Sequence, residues 1–129
     1  MDTPEWITIR VSLAIHREQL AEHGGLPGIR DQGGLESALN RPINLFYYGG
    51  GVDLATLAGA YAFGIARNHP FADGNKRTSF VVSLTFLAIN SRTLRLNEKN
   101  AIDTWLALAA GTLDENGMVA WFRQRILAG

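Results

Sequence analysis

The chain has no cysteine, which excludes disulfides, thiolate metal sites and a cysteine nucleophile and fits a reducing compartment. It has no excess charge either. Twelve Lys and Arg balance twelve Asp and Glu, so net charge supplies no basic face for a nucleic-acid backbone, and no direct nucleic-acid contact is expected. Long apolar runs are also missing: residues 80–89 fall well short of the roughly 20 residues that span a bilayer as a helix, and Ser83 and Thr85 interrupt them. The opening residues Met1-Asp2-Thr3-Pro4-Glu5 lack the basic-then-apolar order of a secretory signal. A soluble, cytoplasmic protein without membrane contact is expected. Three catalytic signatures are absent: a Gly-rich run ending in Gly-Lys-Ser/Thr, the His-Glu-x-x-His zinc pattern and a serine elbow.

What is present suits one domain over residues 1–129, of which 47% are apolar, with no repeat, low-complexity segment or linker. The first segment is ambiguous by period. Ile7, Ile9, Val11, Leu13 and Ile15 alternate as in a strand, while Thr8 as a cap and Ile9, Leu13 and Leu20 on one face also permit a helix. Helix is the reading adopted, over residues 12–23 with Ile9 as the earliest start, because Gly24-Gly25 supplies a stop. A second, short helix over residues 31–41 carries Leu35 and Leu39 four apart and is expected to end at Pro42.

Asn44-Leu45-Phe46-Tyr47-Tyr48-Gly49-Gly50-Gly51 sets bulky aromatics beside three glycines. Such glycines let a backbone bend or open, or merely turn the chain behind aromatics that plug the core. Asp53 caps a helix to about Asn68. Residues 75–90 form another, apolar almost all round and therefore expected at the centre of the domain. After a short, extended connection at residues 92–96, Asn97 caps a helix closed by Gly111. Asp114 opens a last one, whose buried stripe is Met118, Trp121, Phe122 and Ile126. The sum is an all-α bundle of about six helices.

Between the third and fourth helical segments lies the densest chemistry in the chain, His69-Pro70-Phe71-Ala72-Asp73-Gly74-Asn75-Lys76-Arg77-Thr78. Backbone N–H groups at a helix start lack intrahelical partners and carry partial positive charge, which favours an anion. Gly74 lets the backbone approach such an anion, and Lys76 and Arg77 add two cations, Arg77 with a fork that matches a phosphate. Asp73 binds phosphate through a shared Mg²⁺ or, more simply, caps the helix. His69 can move a proton near neutral pH, or merely serve as a cation at a helix end. Asn75 caps or holds phosphate oxygens. Arg67 reaches a nucleotide or is solvated. Phe71 reads as an apolar anchor, Thr78 and Ser79 as structural hydroxyls, and His16 and His23 as surface or satisfied core residues.

This stretch resembles the signature of the Fic/Doc superfamily, His-Pro-Phe-x-Asp/Glu-Gly-Asn followed by Gly or Lys and then Arg. The likeness extends to Gly28-Ile29-Arg30-Asp31 with Leu35-Glu36-Ser37-Ala38-Leu39. Lys76, where adenylyl-transferring Fic proteins carry Gly, is similar to the Doc branch, the death-on-curing toxins. The resemblance implies a toxin that transfers a phosphoryl group from ATP to a hydroxyl of a translation protein, elongation factor Tu being the leading target. His69 would be the base, Asp73 the Mg²⁺ ligand, and Gly74, Asn75, Lys76, Arg77 and Arg67 the nucleotide and phosphate contacts. It places a flap beside the active site at residues 44–51. Pro70 and Gly74 also suit the alternative, a Fic-type adenylyl transferase, and a non-catalytic binding module is the third reading. Self-restraining Fic proteins carry Ser/Thr-x-x-x-Glu followed by Gly or Asn. Thr112-Leu113-Asp114-Glu115-Asn116 is one residue short of it, so restraint by a separate Phd-like antitoxin is expected, in a groove lined by residues such as Leu13 or Leu20.

Overall fold

A computed structural model describes residues 2–127. Six helices follow one another: α1 (Ile9–His23), α2 (Gln32–Tyr48), α3 (Leu54–Asn68), α4 (Asn75–Ile89), α5 (Glu98–Ala110) and α6 (Glu115–Arg125). Extended pairing among the described residues is confined to two isolated antiparallel bridges, Ile29 with Phe71 and Leu94 with Ile126. The class is all-α. Five of the helices start at a side-chain oxygen that accepts the N–H three residues on: Thr8, Asp31, Asp53, Asn97 and Asp114. Helix α4 has no such cap.

The alternation near the amino end is not a strand. Helix α1 starts at Ile9, Ile15 is buried, and Ile9 and Leu13 pack on the core. Ahead of the helix, the Ile7 N–H donates to Tyr61 Oη at 3.0 Å and Trp6 stacks on Phe86.

The expected end of α2 at Pro42 is corrected: the helix runs on to Tyr48 with Pro42 inside it. An internal proline costs about 3 kcal/mol. Leu39 and Pro42 are buried and Leu45 and Phe46 pack against the core; burial worth roughly 1.5–3 kcal/mol per large apolar side chain outweighs that cost. The aromatic stretch therefore divides. Phe46 meets Trp6 edge-on at 5.6 Å, whereas Tyr47 and Tyr48 face solvent.

A second correction concerns the centre. Helix α3, not α4, is the axis of the domain: it packs against α2, α4, α5 and α6, and Leu57, Ala58, Tyr61, Ala62 and Ile65 are wholly buried. Its small residues make this possible, since neighbouring helices approach Gly59 and Gly64 closely enough to touch a Cβ placed there. Helix α4 buries one face, through Val82, Phe86 and Leu87. Phe80, Val81 and Leu84 on the other are half-buried and Ile89 is exposed. The connection after α4 is extended as expected, with Arg95 N–H donating to the Arg125 carbonyl and Leu127 N–H to that of Thr93.

Candidate active site at the α3–α4 loop

Hydrogen bonds to most of the loop's backbone polar groups between His69 and Gly74 fix its shape. The Pro70 carbonyl accepts from the backbone N–H groups of Arg30 and Asp31 at 2.7 and 3.0 Å, and Ala72 N–H donates to the Gly28 carbonyl at 3.0 Å. The connection between α1 and α2 thus lies against the motif as a short antiparallel partner. By contrast, Gly49-Gly50-Gly51 precede the start of α3, and the motif follows its end. A helix of that length spans about 22 Å, so the flap expectation for residues 44–51 is corrected.

Phe71 is fully buried and stacks on the ring of His16, centroids 3.8 Å apart. His16 Nε2 donates to the Asp73 carbonyl at 2.8 Å, and since a carbonyl only accepts, that nitrogen carries the proton. His16 is thus a satisfied core histidine, as its sequence reading had it, but the partner satisfying it is the motif loop itself. Asn75 lends both atoms of its amide to Phe71: Oδ1 accepts its N–H and Nδ2 donates to its carbonyl, each at 2.9 Å. The amide expected at a phosphate thereby shapes the loop.

Asp73 is exposed and does not cap α4. Its Oδ1 accepts the Gly74 N–H at 2.9 Å and its Oδ2 the Leu26 N–H at 3.3 Å. A Cβ at Gly25 would lie 2.9 Å from that Oδ2, so only glycine lets the α1–α2 connection pass beneath the carboxylate. The N-cap of α4 is Gly74, left-handed at φ 75°, and no hydrogen bond among the described residues engages the N–H groups of Asn75, Lys76 or Arg77. Beside these three donors stand the side chains of Lys76 and Arg77, exposed and in no ion pair among the described residues. An open helix start beside two cations is electrostatically favourable for an anion.

His69 closes α3 as its C-cap, exposed and left-handed at φ 45°, ψ 55°. Arg67 turns away: its guanidinium lies 5.5 Å over the Phe63 ring and beside Gly111. Ser79 is structural, its hydroxyl donating to the Ala62 carbonyl at 2.7 Å and accepting from Trp105 Nε1. No three His, Asp or Glu side chains among the described residues gather into a metal cage. A lone exposed carboxylate beside the open start of α4 is compatible with a divalent ion shared with a phosphate ligand, as Mg²⁺ is commonly held.

Lys76 and Arg77 also border a groove of about 770 Å³ between α1, α4 and α5, floored by Phe80, Val81, Ile102, Trp105 and Leu106. His69 and Asp73 do not line it, and neither do Leu13 or Leu20, the residues expected there. Leu20 instead packs near Gly25 and Gly74, under the loop.

The fold and loop together define a class, that of short helical domains that present an uncapped helix start, an exposed histidine and a carboxylate from one loop. The sequence comparisons narrow it. Residues 6–87 match the Fic/DOC family, and the chain belongs to that family. It is similar to the Protein kinase doc of Escherichia phage P1, 36% identical over 78 residues covering 60% of this chain and 62% of the relative. It is also similar to the Toxin Doc of Mycolicibacterium smegmatis, 44% identical over 71 residues covering 52% of each. The chain is a Doc-like member of the family, and the matched region spans between half and two thirds of those relatives' length.

Two residues that hold the loop, Arg30 and His16, were not singled out from sequence as functional. Arg30 falls in the Gly28–Asp31 segment that carries part of the family likeness. His16 has only its place on α1, since nothing local says that its ring faces residue 71.

Proposed function

We propose that this chain is a Doc-type toxin that transfers the terminal phosphoryl group of ATP to a hydroxyl of a protein. The observation that carries the reading is the open start of α4 with Lys76 and Arg77, set on the same loop as His69 and Asp73. In this scheme the target hydroxyl gives its proton to His69, its oxygen forms a bond to the γ-phosphorus, and the bond from that phosphorus to the bridging oxygen breaks as ADP leaves. Lys76, Arg77 and the backbone N–H groups of residues 75–77 offset the negative charge on the phosphates, the usual main source of rate in such transfers. Asp73 would hold Mg²⁺, which when bound draws charge from the phosphate oxygens. The names of the relatives, a kinase and a toxin, support the same reading. Elongation factor Tu, in the cytoplasm, is the target we favour on the resemblance.

Restraint by a separate Phd-like antitoxin is part of the proposal. Half-buried Phe80 and Val81 of α4 and the exposed Ile102 and Leu106 of α5 give the groove an apolar floor that stays open among the described residues. An amphipathic helix is the usual occupant of a groove of that kind.

Intact mass of elongation factor Tu and other translation proteins after incubation with the chain, ATP and Mg²⁺ tests the reading. Phosphoryl transfer adds about 80 Da and adenylyl transfer about 329 Da. The expected result is the first, abolished by His69→Ala in a folded protein, because a lost general base costs about 10² to 10⁴ in rate. The larger mass would mean a Fic-type adenylyl transferase, and no addition a binding module.

A further inference from the structure

His69 sits where an L-residue is disfavoured. A left-handed backbone costs about 1–2 kcal/mol for a residue with a Cβ, and apart from Ser91 no other non-glycine described residue has positive φ. Such a conformation persists only where surrounding contacts over-determine it. Here two of those contacts come from one side chain. Arg30 Nε donates to the His69 carbonyl at 2.8 Å, and Arg30 Nη2 donates to the Asn68 carbonyl at 2.9 Å.

These carbonyls belong to the two peptide planes that meet at the His69 Cα. Fixing the direction of both planes fixes φ and ψ of the residue between them. The two N–H bonds of a guanidinium edge are parallel and coplanar. They therefore accept only a backbone whose successive carbonyls point the same way, as they do in a helical turn of either hand and do not in an extended chain. The backbone N–H of the same Arg30 grips the next carbonyl, that of Pro70. Three successive carbonyls, 68 to 70, thus end on residues 30 and 31.

We infer that Arg30 is a positioning residue: its guanidinium on the carbonyls of residues 68 and 69, together with its backbone N–H on the Pro70 carbonyl, holds His69 in its left-handed conformation and so sets the direction in which the imidazole leaves the backbone. The inference rests on the reading of His69 as the base. A simple C-terminal cap for α3 would use the same hydrogen bonds, but it would affect stability alone and would not select for His69 geometry.

The test uses the whole chain with Arg30→Ala and Arg30→Lys, the latter keeping the charge without the fork. Expected for Arg30→Ala is a fall in kcat of about 10- to 100-fold, the range for a reacting group misplaced by about 1 Å, with the KM for ATP within about two-fold. Arg30→Lys should fall between Ala and wild type. Independently of activity, the His69 Cα and Cβ NMR shifts of Arg30→Ala should leave the left-handed range. Wild-type kcat in Arg30→Ala while His69→Ala is dead would overturn the inference and leave the base assignment standing; an active His69→Ala would strike that assignment instead. Unchanged His69 shifts, or kcat and KM worsening together with melting temperature, would also overturn it. If Arg30→Ala does not fold, the same measurements on Arg30→Lys decide.

Discussion

Gly59→Ala and Gly33→Ala are the same change in helices α3 and α2, and the structure gives them opposite signs. Helix propensity alone makes both stabilising, by up to about 1 kcal/mol. At Gly33 a Cβ would meet only Asp31 Oδ1, at 3.7 Å, an ordinary contact. At Gly59 it would lie 2.5 Å from Val119 Cγ2 and 3.0 Å from both Cα and N of Val119. The Val119 side chain can turn; its backbone cannot, so α6 must move outward by roughly 0.5–1 Å to restore normal separations near 3.5–4 Å. Met118 and Phe122, fully buried on that helix, move with it. Overpacking of this kind costs about 1–3 kcal/mol. Net of propensity, Gly59→Ala loses roughly 1–2 kcal/mol. With an unfolding entropy near 2.1 cal/mol/K per residue, a domain this size shifts by roughly 4 °C per kcal/mol. Thermal unfolding by circular dichroism should therefore show a fall of roughly 4–8 °C for Gly59→Ala and a rise of roughly 2 °C for Gly33→Ala. A rise for both would refute the close α3–α6 crossing and with it the place of α3 at the centre.

Three further outcomes are expected. Asp73→Ala should abolish the Mg²⁺ dependence of nucleotide binding measured by calorimetry; unchanged dependence would remove Asp73 as the metal ligand. Burial pushes the Tyr61 hydroxyl up to about 12 from 10.0. Its neutral form thus favours the fold fully below pH 10, and roughly 3 kcal/mol of stability is lost as pH rises through 12; urea midpoints should show this loss in the wild type and lose this component in Tyr61→Phe. Two hydrogen bonds from Arg123, at 2.8 and 2.9 Å, hold the Asp53 carboxyl well below its ordinary 3.8, with Thr56 adding to the effect. That stability is present above pH 3.8 and lost as acid protonates the folded carboxylate. Because the pair is half-exposed, Asp53→Ala should cost only about 1–2 kcal/mol, mostly through the α3 cap, and Asp53→Asn should recover most of it.

Much of this domain was legible in the chain because its signals are local. A side-chain oxygen reaches the N–H three residues on within one turn, so Asp53, Asn97 and Asp114 could be read locally as helix starts and Gly111 as a stop. The ten-residue motif likewise carried its own chemistry and its family likeness in one unbroken stretch. What the sequence could not settle were sums over distant partners. Pro42 reads as a stop because the lost backbone bond is local, while the burial that overrides it comes from α3. Helix α4 reads as central because it is apolar almost all round, yet Phe80 and Val81 border a groove and Ile89 is exposed. The site divides the same way. The sequence named His69, Asp73, Lys76 and Arg77, but their setting depends on Arg30 and His16, which lie 39 and 57 residues from their partners. A hydrogen bond between residues so far apart leaves no periodic or composition signal, and only the folded chain shows that the α1–α2 connection holds the loop.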